Sequence, residues 1–173
     1  ACNASGMPAG FSGSAVVEST TTDIIAIGKA YGSGLSTAFV GASSGGDKMA
    51  LPYVRWAKDS DYAAGNGQRV FLTIQNIGST DLAAGDVTVK YIKYDGVQDG
   101  STHSLPAIPA GAKTNSNASN AGLAEFGKYG STYGGGAIIQ APAGAELAVV
   151  ARVSTKVGGS QFASEDYNGM IAP

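Results

Sequence analysis

The feature that most constrains this chain is that its first part returns, imperfectly, at its end. Phe11-Ser12-Gly13-Ser14-Ala15-Val16-Val17-Glu18 is matched by Tyr133-Gly134-Gly135-Gly136-Ala137-Ile138-Ile139-Gln140. Asp23-Ile24-Ile25-Ala26-Ile27-Gly28-Lys29-Ala30 is matched by Glu146-Leu147-Ala148-Val149-Val150-Ala151-Arg152-Val153, and Met49-Ala50-Leu51-Pro52 by Met170-Ile171-Ala172-Pro173. The offset is about 122 residues with slips of one at the turns, and a self-match at fixed period marks a tandem architecture. The chain divides into a partial repeat, residues 1–50, and a complete unit, residues 51–173. Half a unit carries an apolar face and open strand edges, which are unstable alone and call for a partner.

Composition narrows the fold class. Glycine is abundant at 26 residues and only 14% of residues are charged. Helix-forming runs of Glu, Lys and Leu are absent, so the pattern is that of short strands and many turns. Residues 69–75 alternate, with Val70, Leu72 and Ile74 on one face and Thr73 and Gln75 on the other. Val87, Val89 and Tyr91 alternate in the same way, and Asp95-Gly96 follows as a hairpin turn. Weaker strands are expected at 38–40 and 49–55, a loop over 58–68, an edge-like proline-bearing segment over 104–111, and a polar loop over 115–120. A short helical turn is expected at 123–126. Residues 14–17 with 24–31, and 137–140 with 146–154, read as two copies of one hairpin, and 161–173 as a last extended stretch. About seven short strands in the complete unit predict an all-β, Ig-like two-sheet β-sandwich. An additional N-terminal half-repeat of strands precedes it.

The strings Leu51-Pro52-Tyr53-Val54-Arg55, Thr73-Ile74-Gln75-Asn76-Ile77-Gly78 and Val87-Thr88-Val89-Lys90-Tyr91, with Ile108-Pro109-Ala110-Gly111 and the Gly13-Ser14-Ala15-Val16-Val17 hairpin, carry a likeness. They resemble the tandem Ig-like β-sandwich surface repeat of secreted bacterial proteins, of the adhesion-related Ig-like module type. The resemblance covers nearly the whole chain and implies a secreted or surface-exposed sandwich in which no catalytic residue is carried.

The chemistry that would support other classes is missing. Net charge is −2 and no basic cluster exists, which argues against nucleic acid and anionic membrane surfaces. The longest apolar runs are too short to span a bilayer. His103 is the sole histidine, so neither a His-based metal cluster nor a Ser-His-Asp triad is expected. Asp59 with Asp61, and Asp95 with Asp99, read as solvated turn acids rather than calcium ligands. The glycine runs lack the lysine and strand-to-helix setting of a phosphate loop. No cofactor and no enzymatic activity are expected. Cys2 is the one cysteine and a candidate for an intermolecular disulfide or an anchor. Asn3 and Asn117 head Asn-Ala-Ser sequons and are candidate glycosylation sites.

Two functional classes remain. The first is a structural subunit of an extracellular, pilus-like filament or surface layer, a homopolymer built by β-strand complementation, with residues 1–11 and 161–173 as candidate donor strands. The second is a cell-surface adhesin or carbohydrate-binding sandwich that stacks surface glycans on Tyr53, Trp56 and Tyr62. Exposed, coplanar rings distinguish the second from the first. Both place the protein outside the cell or on its surface.

Overall fold

Nearly half of the described residues are strand, 49%, against 6% helix. The computed structural model describes residues 13–32, 35–127, 134–158 and 161–173. In chain order the strands are β1 (Ile27–Gly32), β2 (Leu35–Val40), β3 (Lys48–Leu51), β4 (Gln68–Asn76), β5 (Thr88–Lys93) and β6 (Gln98–Ser104). They continue with β7 (Lys113–Ser116), β8 (Gly135–Gln140), β9 (Leu147–Gly158), β10 (Gln161–Asn168) and β11 (Met170–Ile171). A single short helix, α1 (Asp59–Ala63), and a 3-10 turn at Ala118–Ala121 complete the described elements.

Three antiparallel sheets result. β1 and β2 form a two-stranded ribbon; a four-stranded sheet has the order β10-β9-β4-β7; a five-stranded sheet has the order β11-β3-β8-β5-β6. The two larger sheets enclose one core, to which β4 and β9 contribute Val70, Leu72, Ile74, Val149, Ala151 and Val153. Met49, Leu51, Val89, Tyr91 and Ile139 come from the facing sheet. The alternation read in 69–75 and 87–91 is this inward row, because successive side chains of a strand point to opposite faces. The Asp95-Gly96 turn joins β5 to β6: Gly96 has φ 81, and the Asp95 carboxylate accepts from the Val97 amide at 3.0 Å. That hydrogen bond is the main reason the Asp95 carboxyl lies below its usual range, the neighbouring Lys93 charge adding to it.

Several local expectations give way to tertiary pairing. The expected hairpin over 137–154 does not form, since β8 lies in the five-stranded sheet and β9 in the four-stranded one. Both segments alternate apolar residues, and they face a common core from opposite layers. The stretch 161–173 likewise divides. β10 pairs with β9, and β11 crosses at Gly169 to pair with β3. A Cβ at Gly169 would lie 3.1 Å from the Val149 Cβ, so the crossing runs tight against β9. β3 straddles the 50/51 boundary and lies wholly within the larger sheet, between β11 and β8. The loop over 58–68 holds α1. The helical turn expected at 123–126 sits instead at 118–121, where Asn117 and Asn120 cap one another reciprocally and Gly122 at φ 80 ends it. Residues 14–17, the repeat counterpart of β8, form no strand in the single chain.

Candidate interaction surface

Tyr53, Trp56 and Tyr62 converge, but as packing. Trp56 is only 9% exposed and meets Phe71 edge-to-face at 5.5 Å. The Arg69 guanidinium lies 4.4 Å from the Trp56 ring and 4.6 Å from the Tyr62 ring, filling the space between them. Tyr62 in turn stacks on Phe162, and its hydroxyl meets Ser154 Oγ at 3.0 Å. Arg69 also donates to the Ala57 carbonyl at 2.9 Å and pairs with Asp59. Tyr53 lies under Arg55, 4.3 Å from its ring, and its hydroxyl donates to Gln68 Oε1. The cluster pins α1 to β4 and β9. It is not a solvent-facing row of coplanar rings, and cation–π stacking explains why the aromatics gather. Tyr167 donates to the Tyr53 carbonyl, and burial holds its hydroxyl pKa at about 12.

Asn117 is half-buried at the start of the 3-10 turn, its Oδ1 accepting from the Asn120 amide, with Ser119 exposed beside it. Cys2 and Asn3 lie outside the described residues, as does the candidate donor 1–11. His103 is on the edge strand β6, its Nδ1 2.9 Å from the buried Ser116 Oγ. Burial holds the His103 pKa below its usual value. The acidic pairs are engaged locally: Asp59 with Arg69, Asp61 with Lys58, Asp95 with Lys93. Among the described residues no group of three or more His, Cys, Asp or Glu side chains is placed to hold a metal ion, and no helix is long and apolar enough to cross a membrane.

What sequence reading did not single out is the contrast between the strand edges. β6 is an edge of polar residues, interrupted by a register shift opposite β5 and by Gly100 at φ 67. A Cβ at Gly100 would lie 2.6 Å from the Ala121 carbonyl oxygen. Charge, bulge and a covering turn are the devices that blunt an edge against pairing. β10 is held on its inner side by the bidentate Arg152–Asp166 pair at 2.9 and 3.0 Å, and β2 packs along its other side, where Asn168 donates to the Val40 carbonyl at 2.8 Å. Among the described residues, β11 is paired on one side only, with β3. Both its residues are 55% exposed.

Beside β11 lies an open groove of about 220 Å³, a volume on the scale of a few side chains. Gly41, Ala42, Ser43, Met49, Val149 and Ile171 line it. The second unprotected element is the arm of residues 13–26. It carries Val16, Val17, Ile24 and Ile25, exposed at 73, 62, 48 and 83%. Its start is tied across the sandwich from β11: Ser14 Oγ donates to the Gly111 carbonyl at 3.1 Å and accepts from Gln75 at 2.8 Å, next to β7.

No protein-family model matches the chain, and no curated protein does. The crystal structure of Thermotoga maritima 1070 is similar at 14% identity, over 74% of this chain and 96% of that one, with a TM-score of 0.44. A likeness that loose assigns neither fold nor role.

Proposed function

We propose that this protein is a structural subunit of an extracellular filament or surface layer, polymerising by β-strand complementation between copies. The sandwich is read as an Ig-like module, of the kind used in bacterial surface repeats. The observation that carries the proposal is the arm. Four large aliphatic side chains stand in solvent on a segment whose repeat counterparts lie in β8 and β9, where those of Val17 and Ile24, Ile139 and Leu147, are fully buried. Fully burying one such side chain contributes about 1.5–3 kcal/mol. A chain with low charge density and an unpaired apolar segment gains that energy by pairing with a neighbour, with main-chain hydrogen bonds supplying affinity and alternate side chains supplying register.

Negative-stain electron microscopy of the secreted material, with intact mass of the same sample, tests this. Regular filaments or sheets whose subunit mass matches the chain, or exceeds it by glycan increments, are the expected result. Particles that stay monodisperse and monomeric across a hundredfold concentration range would overturn it.

A further inference from the structure

The internal repeat supplies a template for how two copies meet. Within the chain, β3 pairs with β8 in the register Lys48↔Gln140, Met49↔Ile139, Ala50↔Ile138 and Leu51↔Ala137. The repeat counterpart of β8 is the arm segment 15–18, and the counterpart of β3 lies at β11. So both halves of a second β3–β8 pair exist in every copy, and among the described residues neither finds its mate within one molecule.

We infer that the free edge of β11 accepts residues 15–18 of a second copy as an added antiparallel strand, in the register by which β3 holds β8. This rests on the reading that copies assemble by strand pairing, and it names the acceptor and the donor.

Hydrogen-bond directions fix the details. The Ala172 amide donates to the Lys48 carbonyl at 2.9 Å, so Ala172 and Met170 point their main chain at β3. By the alternation of antiparallel ladders, the Ile171 N–H and C=O then face the free edge. Met49 stands in the same relation to β8, because the Ala141 amide donates to the Asp47 carbonyl at 2.7 Å, two residues along the same ladder. Ile171 and Met49 are register partners and line the same groove, so their side chains share the inward face. The structural counterpart of Met49 is therefore Ile171, at the offset that relates Val17 to Ile139, rather than Met170 as the residue match suggests.

The resulting register is Ile171↔Val17, Ala172↔Val16 and Met170↔Glu18. Val17 enters the groove as the fully buried Ile139 does beside Met49, and the small residues lining that groove leave room for it. Val16 stays on the outer face, as Ile138 does. The copy's own arm is held by Ser14 at the β7 side, across the sandwich from β11, which favours a partner's arm over its own.

The test is disulfide trapping in a Cys2→Ser background. Val16→Cys with Ala172→Cys, facing pairs on the outer side, is expected to give a ladder of disulfide-linked oligomers on mild oxidation. Either single variant stops at dimers. Alongside it, Val17→Lys abolishes assembly and Val16→Lys does not. Both side chains are exposed in the single chain, so both variants keep the subunit's circular dichroism and melting. Filaments that form without cross-linking, or that tolerate Val17→Lys, overturn this register while leaving the filament reading intact. Absence of any assembly by the unmodified chain overturns both.

Discussion

Removing the Ser116 hydroxyl is expected to weaken the sandwich by more than the loss of one ordinary hydrogen bond. Ser116, on β7, is 1% exposed, and its Oγ lies 3.0 Å from the hydroxyl of Tyr91, on β5 in the opposite layer. It also lies 2.9 Å from His103 Nδ1. A neutral imidazole protonated on Nε2 accepts from Ser116, and the serine oxygen then accepts from Tyr91. Ser116→Ala leaves the Tyr91 hydroxyl, fully buried and with its ionisation pushed well up by desolvation, without its partner. A buried donor left unpaired costs about 1–3 kcal/mol. For a chain of this size, each kcal/mol corresponds to roughly 2–4 °C in melting temperature.

Tyr91→Phe alone removes the donor but leaves Ser116 with His103 as a remaining partner, so it is expected to cost less. The double variant removes both hydroxyls and is expected to be less destabilised than the sum of the singles. Urea unfolding followed by circular dichroism, at one protein concentration for all four proteins so that self-association weighs on them equally, measures the cycle. A Ser116→Ala stability within about 0.5 kcal/mol of the parent, or strict additivity in the double variant, would refute the reasoning.

Two further outcomes follow from the same region. Burial lowers the folded-state pKa of His103 below its unfolded value near 6.5, so the unfolded chain binds the proton more tightly. Stability contributed through this group is complete above about pH 6.5 and is lost as pH falls through the window below it, levelling off under the folded pKa. His103→Asn should flatten the pH dependence of the urea midpoint there, and an unchanged slope would sink the assignment. Gly100→Ala should destabilise more than Gly96→Ala. Both residues have positive φ, but only at Gly100 would the added Cβ also meet a backbone oxygen, whereas Gly96 opens onto empty space. Equal melting temperatures for the two variants would contradict this.

The sequence disclosed what depends on local alternation and concealed what depends on pairing. Val70, Leu72, Ile74, Val87, Val89 and Tyr91 were legible as inward rows, and Asp95-Gly96 as a turn, because each is set by spacing or turn chemistry within a few residues. β6, with its polar Gln-Asp-Gly-Ser-Thr-His-Ser, was not legible. It is a strand because β5 offers it a ladder, and its own side chains carry no strand signal. The separation of β8 from β9 into different sheets was hidden for a related reason, since two alternating runs joined by a turn look the same whether they pair or face each other. Trp56, offered as part of a sugar-stacking platform, packs against Phe71 and Arg69, contacts between segments that spacing along the chain does not reveal. The acceptor edge was half visible: the repeat tied residues 49–52 to 170–173, but only the hydrogen-bond directions on β11 reveal that the Ile171 main chain faces away from β3.

If donor and acceptor lie on opposite sides of the subunit, the contact is head-to-tail and does not close unless its rotation does. Growth then depends on two separable surfaces, and each can be disabled without touching the other. A Val17→Lys subunit has a dead donor but an intact β11 edge. An Ile171→Lys subunit has a dead acceptor but an intact arm, and Ile171 is 55% exposed, so the lysine is accommodated in the free chain. Neither variant should polymerise alone. Mixed in equal amounts they should form a one-to-one dimer and stop there, because the dimer's remaining arm and remaining edge are the two disabled ones. Added to the parent protein at a few per cent, each should shorten filaments by occupying one end. Analytical ultracentrifugation of the mixture reads the outcome directly. Two monomers that ignore each other, or a mixture that still grows filaments, would show that the arm and the β11 edge are not each other's partners.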